Sequence, residues 1–321
     1  AAYDVLNGKT INHDGTENNQ GLVVTIATAD AAADLSNITS DIENFTALFT
    51  QTQSFTGDLR GKTAAVADGV TVTATAAILD GETAAAAGNG NIAVTALHST
   101  LAANLSGLSS ASGTVTAAFD ATGTFTGNLG TAVVTVADGA VMTAAYDVLN
   151  GKTINHDGTE NSQGLVVTIG ASEAAADLNN ITSDVDVANF TARFTQTQSF
   201  TGELRGKTAA VADGVTVTAT AAVLDDETVA AAGDGNIAVT ALHSALEADL
   251  SGLSSTSGTV TAAFDVSGTF SGKLGNAVVT VADGAVLTAA AIDVAGKTIN
   301  KINTGALTVT VRTADANVDL T

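Results

Sequence analysis

Carboxylate side chains at repeated Asp-Gly dipeptides are the groups in this 321-residue chain best placed to do chemistry. An aspartate at every turn of a repeating structure would supply stacked oxygen ligands, which calcium prefers. Asp-Gly is also a favoured tight-turn dipeptide, because glycine accepts a positive φ and aspartate bonds to nearby backbone. Turn formation without a metal is the stronger interpretation for most of these sites. The candidate metal ligands of this kind are Asp68, Asp138, Asp213 and Asp283.

A denser acidic loop, NHDGTEN, occurs twice, at residues 12–18 and 155–161. It adds the candidate ligands Asp14 and Glu17 in the first copy, and Asp157 and Glu160 in the second. Its spacing matches neither an EF-hand loop nor the glycine-rich nonapeptides of calcium-binding β-rolls. Calcium is the one cofactor that the sequence suggests, and a solvated acidic loop is the alternative.

Other site chemistries find little support. The four histidines occupy two repeat positions, His13 with His156 and His98 with His243, and none has a second His or Cys at zinc-ligand spacing. We predict that they are structural or face solvent. The chain has no cysteine and no G-x-S-x-G nucleophile motif, so the sequence predicts no enzyme.

Long internal repeats organise the chain. Residues 1–18 return unchanged at 144–161, and a two-residue insertion near Asp186 then marks a predicted loop. We predict one long repeat over 1–143, a second over 144–288 and part of a third over 289–321. Because both ends of the sequence fall inside repeat units, we expect it to be a window on a longer tandem array.

A shorter period of about 70–75 residues is nested in the long one. It is marked by pairs of phenylalanines six residues apart. With so few bulky residues in the chain, we predict that these rings form regular core layers. The pairs are Phe49 with Phe55, Phe119 with Phe125, Phe194 with Phe200, and Phe264 with Phe270.

Alternation of aliphatic residues with threonine predicts many short strands, closed by Asp-Gly, Asn-Gly or Gly-Asn turns. Examples are GLVVTI from Gly21, VTVTAT from Val70 and ALTVTV from Ala306. Residues 143–151 and 96–108 have a helical pattern of one or two turns, with an Ala-rich strand as the alternative.

Short strands, repetition and small side chains leave two all-β architectures. In a parallel β-solenoid, rungs of about 20 to 25 residues would stack about 4.8 Å apart around a narrow core. In the alternative, each unit would be a small β-sandwich in a tandem string, although such domains usually need about 100 residues. The short period favours the solenoid.

Composition excludes several partners. The chain carries 33 acidic and 11 basic residues, a net charge of -22, which repels nucleic-acid phosphates and anionic lipid heads. Every apolar run is interrupted well before the roughly 20 residues of a membrane span. We therefore expect a folded protein that neither binds nucleic acid nor inserts into membranes.

The repeated phrases VTVADGAVMTAA at 134–145 and GKTIN at 8–12, together with ADLS at 33–36, show a characteristic repeat pattern and composition. The chain resembles the giant Ala, Thr, Val, Gly and Asp-rich β-strand repeat proteins of bacterial surfaces, including repetitive adhesins. The resemblance implies an exported, extended, calcium-tolerant surface protein, and it transfers no functional residue. We therefore expect a structural segment of an extracellular filament, surface layer or adhesin stalk that associates with its own kind. A ligand-binding adhesin is the second hypothesis.

Overall fold

The computed structural model describes residues 1–14, 20–157, 162–185 and 189–311. Thirty short strands lie within these residues. In chain order they are β1 Thr10–Ile11, β2 Gly21–Ile26, β3 Thr39–Ser40, β4 Asn44–Phe49, β5 Gln53–Ser54, β6 Thr63–Val66, β7 Thr71–Thr75, β8 Ala84–Ala86, β9 Asn91–Thr95, β10 Leu108–Ser110, β11 Val115–Phe119, β12 Gly123–Phe125, β13 Val133–Val136, β14 Val141–Ala145, β15 Thr153–His156, β16 Gly164–Ile169, β17 Thr182–Ser183, β18 Phe190–Phe194, β19 Gln198–Ser199, β20 Thr208–Val211, β21 Thr216–Thr220, β22 Val229–Ala231, β23 Asn236–Thr240, β24 Leu253–Ser255, β25 Val260–Phe264, β26 Gly268–Phe270, β27 Val278–Val281, β28 Val286–Ala290, β29 Ile299–Lys301 and β30 Ala306–Thr310.

Helices are confined to single turns between strands. The α-helices are α1 Tyr3–Leu6, α2 Ala76–Leu79, α3 Tyr146–Leu149, α4 Ala221–Leu224 and α5 Ala291–Val294, and the 3-10 turns are Thr28–Asp30, Leu35–Asn37, Leu97–Thr100, Ala171–Glu173, Leu178–Asn180 and Leu242–Ser244. The two segments predicted to be helical thus contain one turn each, α3 and Leu97–Thr100. No helix in the described part of the chain has the length and apolarity needed to cross a membrane.

The chain divides into two compact units, and the first comprises Ala1–Ala144, Gly151–Gly164 and Ile181–Val185. In this unit successive strands along the chain alternate between sheets. Strands β2, β4, β6, β8 and β10 form one parallel sheet, the odd-numbered strands β5 to β17 form another, and β1 pairs with β3. Each coil therefore gives one strand to each of two parallel sheets, so the predicted solenoid is confirmed. The alternative of tandem small β-sandwiches is wrong, because every strand pair in the described residues of this unit is parallel.

The second unit comprises Ala145–Asn150, Leu165–Asn180 and Asp186–Thr321. It has the same alternation. Strands β16, β18, β20, β22 and β24 lie side by side in one parallel sheet, while the odd-numbered strands β19 to β29 form a six-stranded sheet and β26, β28 and β30 a three-stranded one. The predicted insertion at Asp186 lies outside the described residues.

Coil length depends on the position in the sub-repeat, and it recurs in both units. A short coil separates Thr46 from its partner Thr63, and the equivalent coil separates Thr191 from Thr208. The next coil is longer, where Ala64 pairs with Ala84 and Ala209 with Val229. The one after it is longer again, where Ala84 pairs with Leu108 and Val229 with Leu253. The predicted rung length therefore describes an average over unequal coils.

Each complete sub-repeat in the described residues contains seven strands, which explains why a short period is nested in a long one. The first, β4 to β10, starts in the five-stranded sheet, whereas the second, β11 to β17, starts in the seven-stranded sheet. Because a coil has two strands, seven strands make three and a half coils, and equivalent residues of consecutive sub-repeats lie on opposite sheets. Two sub-repeats complete a whole number of coils, which matches the long sequence repeat.

The core is built as the phenylalanine pattern predicts. All eight paired rings are at most 1% exposed. Phe49 and Phe55 meet edge to face with ring centroids 5.2 Å apart, and Phe194 and Phe200 do so at 5.0 Å. Small residues fill the rest of the interior, because inward positions alternate with half-exposed ones along each strand.

The glycine that follows each phenylalanine pair is required by the stacking of coils. A Cβ on Gly57 would lie 2.0 Å from the carbonyl oxygen of Ala33, and one on Gly202 would lie 2.0 Å from that of Ala176. Gly127 and Gly272 have the same contact at 2.1 Å. Only glycine lets neighbouring coils approach this closely.

Candidate functional site

The aspartates of the Asp-Gly turns bond to the backbone of the next coil. Oδ1 of Asp68 accepts a hydrogen bond from the Asn89 N–H at 2.7 Å, and Oδ1 of Asp213 accepts one from Asp234 at 2.7 Å. Gly88 has φ +49°, and a Cβ there would lie 2.2 Å from Asp68 Oδ1. The Gly-Asn-Gly turn therefore fits directly over the carboxylate, which caps it.

Two further turns vary this contact. Asp283 accepts hydrogen bonds from Oγ1 and N–H of Thr304 at 2.5 and 3.0 Å, and these bonds hold the pKa of its carboxyl below the usual range. At Asp138 the turn is joined to the next coil through Gly139, whose N–H donates to Ser162 Oγ at 3.1 Å.

The structure does not gather these aspartates into one row. Asp68 follows β6 of the five-stranded sheet, whereas Asp138 follows β13 of the seven-stranded sheet, so the two turns lie on opposite sides of the first unit. In the second unit Asp213 follows β20 and Asp283 follows β27, again in different sheets. The half-coil offset therefore puts equivalent Asp-Gly turns of consecutive sub-repeats on alternate sheets, whereas Asp138 and Asp157 follow neighbouring strands of one sheet, β13 and β15.

The NHDGTEN loops are described only in part. Glu17 and Glu160 lie outside the described residues. The backbone oxygen of Asp14 accepts a hydrogen bond from Gln20 Nε2 at 3.0 Å, and the Asp157 N–H donates to Val136 at 2.9 Å. Within the described ranges no three acidic, His or Cys side chains cluster as metal ligands would. Calcium binding here stays a prediction.

Gln163 follows the second loop and is fully buried. Neither oxygen nor nitrogen of its side-chain amide has a hydrogen-bond partner among the residues described. In the first repeat the equivalent Gln20 donates to Asp14 instead. The Gln20 oxygen likewise has no partner among the described residues, so the two repeats differ at this position in the bonding of the amide nitrogen. Buried amides without partners are uncommon in folded proteins.

Histidine-aspartate pairs join neighbouring coils, and sequence reasoning missed them. His13 donates its backbone N–H to Asp41 at 2.8 Å, and its Nδ1 lies 3.1 Å from the same carboxylate. The pair of His98 with Asp120 contacts through Nδ1. The second long repeat has the same pairs, His156 with Asp184 and His243 with Asp265. The sequence did contain a signal for these pairs: the spacing between histidine and aspartate is 28 residues for one kind of pair and 22 for the other, and it is the same in both long repeats.

Hydrogen bonding from the His13 backbone lowers the pKa of the Asp41 carboxyl. Glu227 also joins two coils: its two carboxylate oxygens each lie 3.1 Å from the backbone nitrogen of Gly206, which donates to them. Glu82 and Gly61 make the same contact in the first long repeat. Glu227 is buried, and this burial raises the pKa of its carboxyl. The Asp41 and Glu227 carboxylates therefore each accept a backbone hydrogen bond from a neighbouring coil.

Asp or Asn caps a tight turn at four equivalent positions, and one of these carries an ion pair. Asp249 accepts hydrogen bonds from N–H and Oγ of Ser251 at 2.9 and 2.5 Å and contacts Lys273 Nζ at 2.5 Å. The ammonium of Lys273, followed by Ser251, lowers the pKa of Asp249 to about 2. The equivalent pair in the first long repeat is Asn104 with Asn128.

Surface clefts recur with the repeat. A cleft of about 220 Å³ lies beside Ser110, Thr114 and Thr131, and one of about 170 Å³ lies beside the equivalent Ser255, Thr259 and Asn276. A third, of about 260 Å³, contains Lys273 and Lys297. These clefts are below the roughly 300–1,000 Å³ typical of small-molecule sites. Their linings combine hydroxyl, amide and ammonium groups with aliphatic side chains.

Comparison with known proteins adds no relative. No protein-family model matches the chain, and neither a curated protein nor a solved structure does so. The repeated coils and their joints are therefore the basis for a proposed function.

Proposed function

We propose that this chain is a structural repeat segment of an extracellular bacterial filament, surface layer or adhesin stalk. The observation that carries the proposal is the recurrence of coils with the same length, register and core at equivalent positions of the two units. Each added coil extends the stack by one strand spacing, about 4.8 Å. Sequence repetition of this kind supplies length without a new core design.

The surface chemistry supports the same role. Repeated spacing puts the carboxylates at joints between coils, and the net charge of -22 keeps an apolar, repetitive chain soluble. We propose copies of itself, or neighbouring repeats of a longer chain, as partners, and neither nucleic acid nor membrane. The proposal includes no catalytic role.

Light scattering over a range of protein concentrations tests self-association. We expect the mean mass to rise with concentration, and to rise further when salt screens the acidic surfaces. A constant monomer mass at high protein concentration and high salt would count against assembly.

A ligand-binding adhesin with calcium-stabilised repeats is the second candidate. The recurring clefts favour it, because two equivalent weak sites on one chain gain avidity on a repetitive glycan. A glycan-binding screen distinguishes the candidates. Specific binding that is lost when Thr131 and Asn276 are both changed to Arg would favour the adhesin, while no binding in the screen leaves the structural role.

A further inference from the structure

The outer edge of β30 has the side-chain pattern of a strand that is covered by another strand inside the solenoid. β30 pairs with β28, and β28 is its one partner among the described strands. Leu307 pairs with Leu287 and Val309 with Ala289, which are both buried, so β30 continues two rows of the core. Yet Leu307 is 41% exposed, and Val311 is 65% exposed.

The same chain shows what covers this surface elsewhere. β2 and β16 follow the GKTIN phrase as β30 does, and the β16 residues Leu165, Val167 and Ile169 are 0% exposed. Phe190, Ala192 and Phe194 of β18 pair with them one to one. In the first unit, β4 covers β2 with the equivalent residues.

Sequence and register make the correspondence specific. The covering strands read NFTALF at 44–49 and NFTARF at 189–194. Their two phenylalanines lie over the first and third inward residues of the covered strand, and the alanine lies over the middle one. In β30 and the residue after it, those three positions hold Leu307, Val309 and Val311.

We propose that the outer edge of β30 is a docking site for one parallel strand of the N-F-T-A-x-F type. Its phenylalanines would bury Leu307 and Val311, and its backbone would pair with β30 as β4 pairs with β2. This inference rests on the proposed function, because it names the partner through which one repeat adds to another. Strand addition at a sheet edge gains affinity from the backbone and specificity from alternate side chains.

Appending a copy of residues 37–66 after Thr321 tests the site on the full chain. In sequence Thr321 corresponds to Ser36, so the copy continues the repeat in register. The control carries the same copy with the changes Phe45→Ser and Phe49→Ser. Amide exchange is then followed in β30, with β20 to β24 as an internal check that the protein is folded.

We expect at least tenfold slower exchange of the β30 amides in the extended chain than in the control. Equal exchange rates in the two chains would overturn the proposal. The result is separable from the self-association test. Protected β30 amides in a chain that stays monomeric would keep the docking site and reject self-assembly, and association without protection would do the reverse.

Discussion

The carboxylate of Asp68 shows how single residues act in this protein. It accepts a hydrogen bond from the backbone N–H of Asn89 in the next coil. His98 with Asp120, and Asp249 with Lys273, likewise join one coil to the next. These three contacts therefore hold neighbouring coils in register.

Gly57→Ala tests the close approach of coils. Because the new Cβ would lie 2.0 Å from the Ala33 carbonyl, the coils must separate, and we expect a loss of about 2–3 kcal/mol in the free energy of unfolding. Urea denaturation measures it. Gly21→Ala is the matched control, since its Cβ would meet the nearest atom at 3.8 Å. Equal stability of both variants would refute the packing argument.

The titration of Asp249 tests the charged joint. A folded-state pKa of about 2, below the unfolded value of about 3.9, means that the ionised carboxylate stabilises the fold above pH 4 and that this contribution is lost as pH falls toward 2. We expect carbon-detected NMR to show this midpoint and Lys273→Asn to move it upward. Because Lys273 is largely exposed, high salt should weaken the effect. A midpoint near 4 in the unmodified protein would contradict it.

At the scale of elements, the coil is the unit that repeats, and its turns are fitted to the coil that follows. Gly88 is in the left-handed region over the Asp68 carboxylate, and Gly233 has the same geometry over Asp213. Equivalent positions of the two long repeats therefore share the same kind of strand, the same turn geometry and the same kind of core residue. Changes within one coil should be felt mainly by its two neighbours, as in other stacked repeats.

Asp68→Ala removes the acceptor beneath the next turn. We expect the amides of residues 88–91 to exchange faster, because the Asn89 N–H loses its partner. Asp68→Asn is the matched control, since its side-chain amide oxygen still accepts that hydrogen bond. Unchanged exchange at 88–91 would show that the carboxylate is dispensable for the turn.

Phe194→Ala tests the core layer of a coil. The ring is buried and meets Phe200 edge to face, so we expect a loss of about 3–5 kcal/mol in the free energy of unfolding. Val266→Ala provides a comparison at a 53% exposed position and should change stability little. Chemical denaturation followed by circular dichroism measures both, and similar small losses would disagree with a ring-layered core.

At the scale of the whole molecule, 33 acidic against 11 basic residues make charge repulsion the main long-range force. Screening should therefore raise the melting temperature as sodium chloride increases. This general effect has to be separated from specific ion binding at the predicted sites, of which Asp14 and Asp157 are the described members of the NHDGTEN loops.

Thermal unfolding in millimolar calcium, in magnesium at equal ionic strength, and after chelation separates the two effects. A ligand at 100 times its dissociation constant that binds only the folded state adds about 2.7 kcal/mol. We predict a larger upward shift with calcium than with magnesium if the loops bind the ion. Equal shifts would leave the carboxylates as turn formers and surface charge.

The strands, the turns and the phenylalanine layers could be predicted from the sequence alone. GLVVTI from Gly21 became β2 without a change of boundary, and the buried rings are the predicted ones. These features depend on the alternation of aliphatic and polar residues and on internal repeats, which can both be recognised in the amino-acid sequence. The helical segments, predicted at one or two turns, contain one turn each, because the connections between strands leave room for no more.

Which repeated residues contact one another could not be predicted without the tertiary structure. That Asp68 and Asp138 lie on opposite sides follows from seven strands per sub-repeat and two strands per coil, a ratio that depends on how the chain closes each coil. The pairing of each histidine with an aspartate of the next coil depends on coil lengths in the same way. Such contacts depend on how the coils stack. The sequence repeat gives the spacing of these residues along the chain, but not how many residues form each coil and therefore not which residues face each other.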